Sequence, residues 1–146
     1  MAGRPLVALV VENDAPVRQL LDAILQTQGW ERVLGDAWEA PGVRDAADWV
    51  DLLLLDHRLP GATGLEVLGE VKAARPALRV VMLTGDLDVQ EEAERLGVDV
   101  FLRKPFDLAE LVALLRQPDG GTIDLRPPRP ADVDVRSVDT PWFTSS

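Results

Sequence analysis

Four leucines at positions 52–55 run straight into Asp56, and His57, Arg58 and a Pro60-Gly61 pair then break the run. A carboxylate at the rim of a core is costly unless a cation or a hydrogen-bond donor meets it. Groups of that kind stand at the ends of other apolar runs. Glu12, Asn13 and Asp14 follow the run 6–11, Thr84, Gly85 and Asp86 follow 80–83, and Arg103, Lys104 and Pro105 follow 100–102. Lys104 draws notice because the chain has only two lysines, Lys72 and Lys104, against 13 arginines. Taken singly, each residue has a plain explanation. Asp56 could end a strand in water, Thr84 could be a β-branched strand residue, and Lys104 could be solvated. Glu12 to Asp14 could start a helix, whose positive end favours acids and whose cap favours Asn or Asp. Brought to one place, carboxylates, a hydroxyl and an ammonium would instead receive a charged ligand, so everything turns on the fold.

The strong apolar runs do not alternate with polar residues, which is the pattern of strands buried on both faces. A weaker run at 32–37 makes five. After the first strand, Val17, Leu20, Leu21, Ile24 and Leu25 share one stripe at helical spacing. Three later segments open with capping-box patterns, Thr63 with Glu66, Asp88 with Glu91 and Asp107 with Glu110. The segment 39–49 contains Pro41-Gly42 and little periodicity, so it predicts a short second helix. The order βαβαβαβαβα predicts an α/β fold, a doubly wound five-stranded parallel sheet with right-handed crossovers and helices on both faces. In such sheets ligands sit beyond the carboxyl ends of the strands. Every candidate residue named above lies at that edge.

The chain has 146 residues, 47% apolar and 27% charged, which suits a single soluble domain. After Arg116 the character changes. Residues 117–146 hold 5 of the 11 prolines and show no sustained periodicity, so the division is a domain at 1–116 and a Pro-rich tail or linker at 117–146. Trp142 and Phe143, near the end, are either part of a loose terminus or a hook onto this domain or a partner. Without cysteine there is neither a disulfide framework nor a thiolate metal site. Six apolar residues at the N-terminal run are too few for a signal-peptide core or a membrane span, so the cytoplasm is expected and a membrane partner is not. The net charge of −10 is spread along the chain with no basic patch, which argues against direct nucleic-acid binding.

An acidic cluster after strand one ("VVEND"), an aspartate after strand three followed by "RLPGATG", a threonine ending strand four ("MLTG") and "KPF" after strand five occur in this order. In that arrangement residues 5–116 resemble a receiver domain of bacterial two-component response regulators. The resemblance implies a flavodoxin-like sheet of order 2-1-3-4-5. It implies that Asp56 is the phosphoacceptor, taking a phosphoryl group from a histidine kinase or phosphotransfer protein. It also implies Mg²⁺ held by Glu12, Asn13, Asp56 and the backbone carbonyl of Arg58, with Thr84 and Lys104 on the phosphoryl oxygens. A cis Lys104-Pro105 peptide would set the lysine's direction. Thr84 and Phe101 would form the conformational switch, although simple core packing accounts equally for Phe101. The face of helix four, strand five and helix five would carry output or a homodimer. Arg58 and Asp86, two residues beyond Asp56 and Thr84, would flank the entrance and tune the phosphate's lifetime.

Two departures matter. Receivers usually carry two acids after strand one, and here the second is Asn13, which points to weaker Mg²⁺ binding, with Asp14 as a substitute ligand. His57, the only histidine, follows Asp56 directly, and neighbours on a strand exit point oppositely, so it should face away from the Asp56 pocket. Two other functions compete. A pseudo-receiver would bind partners without being phosphorylated. A haloacid-dehalogenase-type phosphohydrolase would want a second Asp at the position of Arg58. The expected protein is not an enzyme beyond its own phosphorylation and dephosphorylation.

Overall fold

The computed structural model describes residues 5–116, so the expectations for 117–146, Trp142 and Phe143 included, lie outside the described residues. Five parallel strands lie side by side in the order 2-1-3-4-5: β1 (Val7–Val11), β2 (Glu31–Gly35), β3 (Leu52–Asp56), β4 (Arg79–Thr84) and β5 (Val100–Arg103). This is the topology expected. The register sets Val11 between Gly35 and Leu55, and Thr84 beside Arg103, so the strand ends finish on one edge. A small antiparallel hairpin, Arg58–Leu59 with Ala62–Thr63, follows β3 and turns at Gly61, whose φ of 77° suits glycine.

Among the described residues five helices cover the sheet: α1 (Ala15–Thr27), α2 (Val43–Ala46), α3 (Gly64–Ala74), α4 (Gln90–Arg95) and α5 (Leu108–Leu115). Successive strand residues face opposite ways, and β3 shows the consequence. Leu52 and Leu54 pack with Leu21 and Leu25 of α1 and Leu111 and Leu115 of α5. Leu53 and Leu55 pack with Val43 of α2, Val67 and Leu68 of α3, and Ala93 of α4. A leucine run with no polar alternation is what two buried faces require, and each such burial contributes roughly 1.5–3 kcal/mol.

Polar contacts fix the helix ends. Thr63 and Glu66 make the full capping box, the hydroxyl accepting from Glu66 N–H at 3.2 Å and Glu66 Oε1 accepting from Thr63 N–H at 2.8 Å. Trp30 Nε1 donates at 2.6 Å to the carbonyl of Leu115, tying the last turn of α5 to the start of β2. Lys72 explains itself here. Its ammonium donates to the carbonyls of Leu78 at 2.6 Å and Pro76 at 3.2 Å and to Asp99 at 2.8 Å, and Asp99 accepts from Val80 N–H as well. That network joins α3 to β4 and to the approach of β5.

Three local expectations fail. Leu20 is 40% exposed and lies off the buried stripe of α1, while the polar Arg18 and Asp22 are buried on that helix. Each has a partner that an apolar pattern cannot reveal, Asp22 pairing with Arg32 at 2.6 Å. The pair Asp88 and Glu91 forms no capping box. Asp88 lies in a 3₁₀ turn (Leu87–Val89) capped by Asp86, and the residue before α4 is Val89, which has no capping side chain. Asp14 occupies the cap position of α1 without a side-chain bond, and Pro16 in that first turn withholds one of the N–H groups a cap serves.

Candidate functional site

The edge where β1, β3, β4 and β5 end opens into a cleft of about 610 Å³. It is lined by Glu12, Asn13, Asp14, Asp56, Arg58, Thr84, Gly85, Asp86, Leu87, Asp88 and Lys104. Residues from four strand ends, separated by up to 92 positions, thus face one space.

Asp56 closes β3 and is 6% exposed. Its Oδ1 accepts from the Arg58 N–H at 3.3 Å and lies 3.5 Å from the Lys104 ammonium. Backbone packing holds that strand end from behind. Gly64 N–H donates to the His57 carbonyl at 2.7 Å, and a Cβ on Gly64 would come within 2.5 Å of the Asp56 carbonyl oxygen. Only glycine can start α3 so close to the acid.

Glu12 continues β1 and is fully buried. Its carboxylate accepts from Lys104 Nζ at 2.8 Å and from Asp14 N–H at 3.0 Å. Burial, and a hydrogen bond shared with the Asp56 carboxyl, push its pKa up to about 7 against the pull of Lys104 and the Asp14 amide. Lys104 N–H donates to the Thr84 carbonyl at 2.9 Å, and the Lys104-Pro105 peptide is cis. Thr84 Oγ1 accepts from Asp86 N–H at 3.0 Å, which leaves its own proton to donate into the cleft. At the mouth, Arg58 lies 3.7 Å from Asp86.

Asn13 and Asp14 are exposed on the cleft wall. The oxygen groups lining the cleft are the carboxylates of Glu12, Asp14, Asp56, Asp86 and Asp88, the Asn13 amide and the Thr84 hydroxyl. That chemistry suits a hard divalent cation that keeps several waters. Among the described residues no three His, Cys, Asp or Glu side chains cluster as metal ligands. His57 lies outside the cleft, beside a neighbouring depression that Asn13, Arg58, Leu59, Pro60, Thr63 and Asp86 also line. Phe101 is half-buried on β5 and packs against the layer that holds α2, α3 and α4.

The model of the response regulator receiver domain matches residues 8–116. The chain belongs to the response regulator receiver domain family. It is 34% identical over 112 residues to the phosphate regulon transcriptional regulatory protein PhoB of Klebsiella pneumoniae, a match that covers 74% of this chain and 49% of that protein. The receiver therefore spans about half the length of that relative. It is 32% identical over 110 residues to sporulation initiation phosphotransferase F of Bacillus subtilis, covering 70% of this chain and 85% of that one. Among solved structures, the signal receiver domain of an HD domain-containing protein from Pseudomonas fluorescens superposes with a TM-score of 0.72 at 25% identity, over 80% of this chain and 88% of that one. The function class is that of a phosphoacceptor receiver in two-component signalling.

One residue beside the site escaped the sequence reading. Arg18 is buried directly behind the acidic turn of the receiver. The only sequence signal was an arginine in the first turns of a helix that follows "END", on a stripe read as apolar.

Proposed function

We propose that Asp56 is the phosphoacceptor of this receiver, and that the cleft around it transfers a phosphoryl group from a phosphohistidine on a kinase or phosphotransfer protein. The observation that carries the reading is the meeting of Asp56, Glu12 and Lys104, with the ammonium 3.5 Å from one acid and 2.8 Å from the other. An Asp56 oxygen attacks phosphorus, the new O–P bond forms as the N–P bond of the donor breaks, and the electron pair leaves with the imidazole. Glu12, Asn13, Asp56 and the carbonyl of Arg58 would hold Mg²⁺, which when bound neutralises charge on the transferring group. Lys104 then exchanges its contacts with the two acids for a phosphoryl oxygen, and Thr84 donates its free proton to another. Arg58 and Asp86 sit at the mouth, where they set water access and so the lifetime of the aspartyl phosphate.

The response is a change of packing. Thr84 moves toward the phosphoryl group and Phe101 turns inward, which alters the face of α4, β5 and α5 used for output or for a homodimer. The partners are proteins of a cytoplasmic relay. Among the described residues no helix is long and apolar enough to cross a membrane. The protein is not an enzyme toward other substrates on this reading, and residues 5–116 make no direct contact with nucleic acid.

Incubation with acetyl phosphate and Mg²⁺ tests the proposal. The intact mass should rise by one phosphoryl group, and Asp56→Asn should abolish the gain. Asn13 favours one other reading, a pseudo-receiver that binds partners unmodified. An unchanged mass, together with no response to beryllofluoride, would decide for it.

A further inference from the structure

Arginine is seldom buried unless its charge is met. Arg18 is 3% exposed, in the second turn of α1, and its side chain runs beneath the turn that carries Glu12 and Asn13. Its Nη1 donates at 2.7 Å to the Glu12 carbonyl and at 3.5 Å to the Asn13 carbonyl. Its own N–H donates to the Asp14 carbonyl at 2.9 Å. The peptide units on both sides of Asn13 are therefore gripped from inside the protein. On the cleft side, Asp14 N–H holds the Glu12 carboxylate. The guanidinium also lies in the field of Asp36, Glu12 and Asp14, which offsets part of the cost of burying it.

We propose that Arg18 is the positioning residue of the acidic turn: it fixes the backbone of Glu12, Asn13 and Asp14 so that the Glu12 carboxylate and the Asn13 amide face a divalent cation together with Asp56. The proposal rests on reading the cleft as a metal-dependent phosphoacceptor site. An amide supplies less attraction than an acid, so this site depends more than most on ligands held in place before the ion arrives.

Position and charge act in opposite directions here, which makes the proposal testable. A buried cation behind the turn repels Mg²⁺, so if its charge were all that mattered, removing it would tighten binding. If its grip matters more, removal weakens binding. Isothermal titration of the full chain with MgCl₂ should show Arg18→Met binding about 10-fold more weakly, the loss seen when a group supporting a metal ligand is removed. Arg18→Lys should recover part of that loss. Leu111→Ala, a cavity in the core beside α1, supplies a comparably loosened protein with the turn untouched, and should bind as the wild type does. Without metal, hydrogen exchange at the Asp14 amide should accelerate in Arg18→Met and stay slow in Leu111→Ala. Unchanged or tighter Mg²⁺ binding in Arg18→Met, an equal loss in Leu111→Ala, or unchanged Asp14 exchange would each overturn the proposal. A wild type that binds no Mg²⁺ would overturn the reading of the cleft and the proposal with it, whereas a binding wild type with an indifferent Arg18→Met overturns the proposal alone.

Discussion

At the scale of single residues, Glu12 and Asn13 show how little separates a cation site from a proton site. Glu12 keeps a proton up to about pH 7 because it is buried against another carboxyl. The unfolded chain releases that proton near 4.5. Between those values Glu12 binds more protons in the folded state than in the unfolded one, so its contribution to stability falls as pH rises and levels off above 7. Urea melts of metal-free protein from pH 4.5 to 7.5 should follow that slope, and Glu12→Gln should remove Glu12's share of it. Asn13 makes the complementary test. Restoring an acid with Asn13→Asp adds a negative charge on the wall of the cleft, and Mg²⁺ affinity should rise about tenfold by calorimetry. No gain would mean that position 13 does not contribute to the metal site.

At the scale of elements, the sheet was plain in the sequence and the helix details were not. Short unbroken apolar runs bounded by turn residues, such as 52–55, read as strands sandwiched between two layers, and β3 occupies Leu52–Asp56 accordingly. Helix α2 was expected to be short, and it spans Val43–Ala46. Pattern reading failed where a polar residue finds a buried partner, as Arg18 and Asp22 do on α1. It also failed where two aspartates competed to cap one turn, since Asp86 caps the 3₁₀ segment and leaves Asp88 inside it. The positions of Glu12, Asp56, Thr84 and Lys104 were legible because a parallel sheet gathers strand ends by topology alone. The support behind them was not, because a hydrogen bond to a carbonyl leaves no periodic trace. Cap chemistry can be checked directly. Thr63→Ala removes one acceptor from the start of α3 and should cost about 1 kcal/mol in denaturant melts, while Gly64→Ala should cost more by pushing a Cβ into the Asp56 carbonyl.

At the scale of the whole molecule, the described residues supply two core layers, one on each face of the sheet, whose members run from Leu6 to Leu115. We propose on that ground that residues 1–116 are the folding unit and that 117–146 are a tail or linker. A chain ended after Arg116 should melt within about 2 °C of the full chain and accept a phosphoryl group at the same rate. A larger loss would mean that the C-terminal segment is part of the core.

The bond from Trp30 to the last turn of α5 gives the receiver a built-in gauge. Trp38, equally enclosed, has no acceptor for its indole N–H among the described residues, so the two indole protons should resonate far apart in an NMR spectrum. Any rearrangement that carries α5 away from the sheet would pull the Trp30 signal toward that of Trp38. A signalling domain can therefore be watched through one native proton, with no label added.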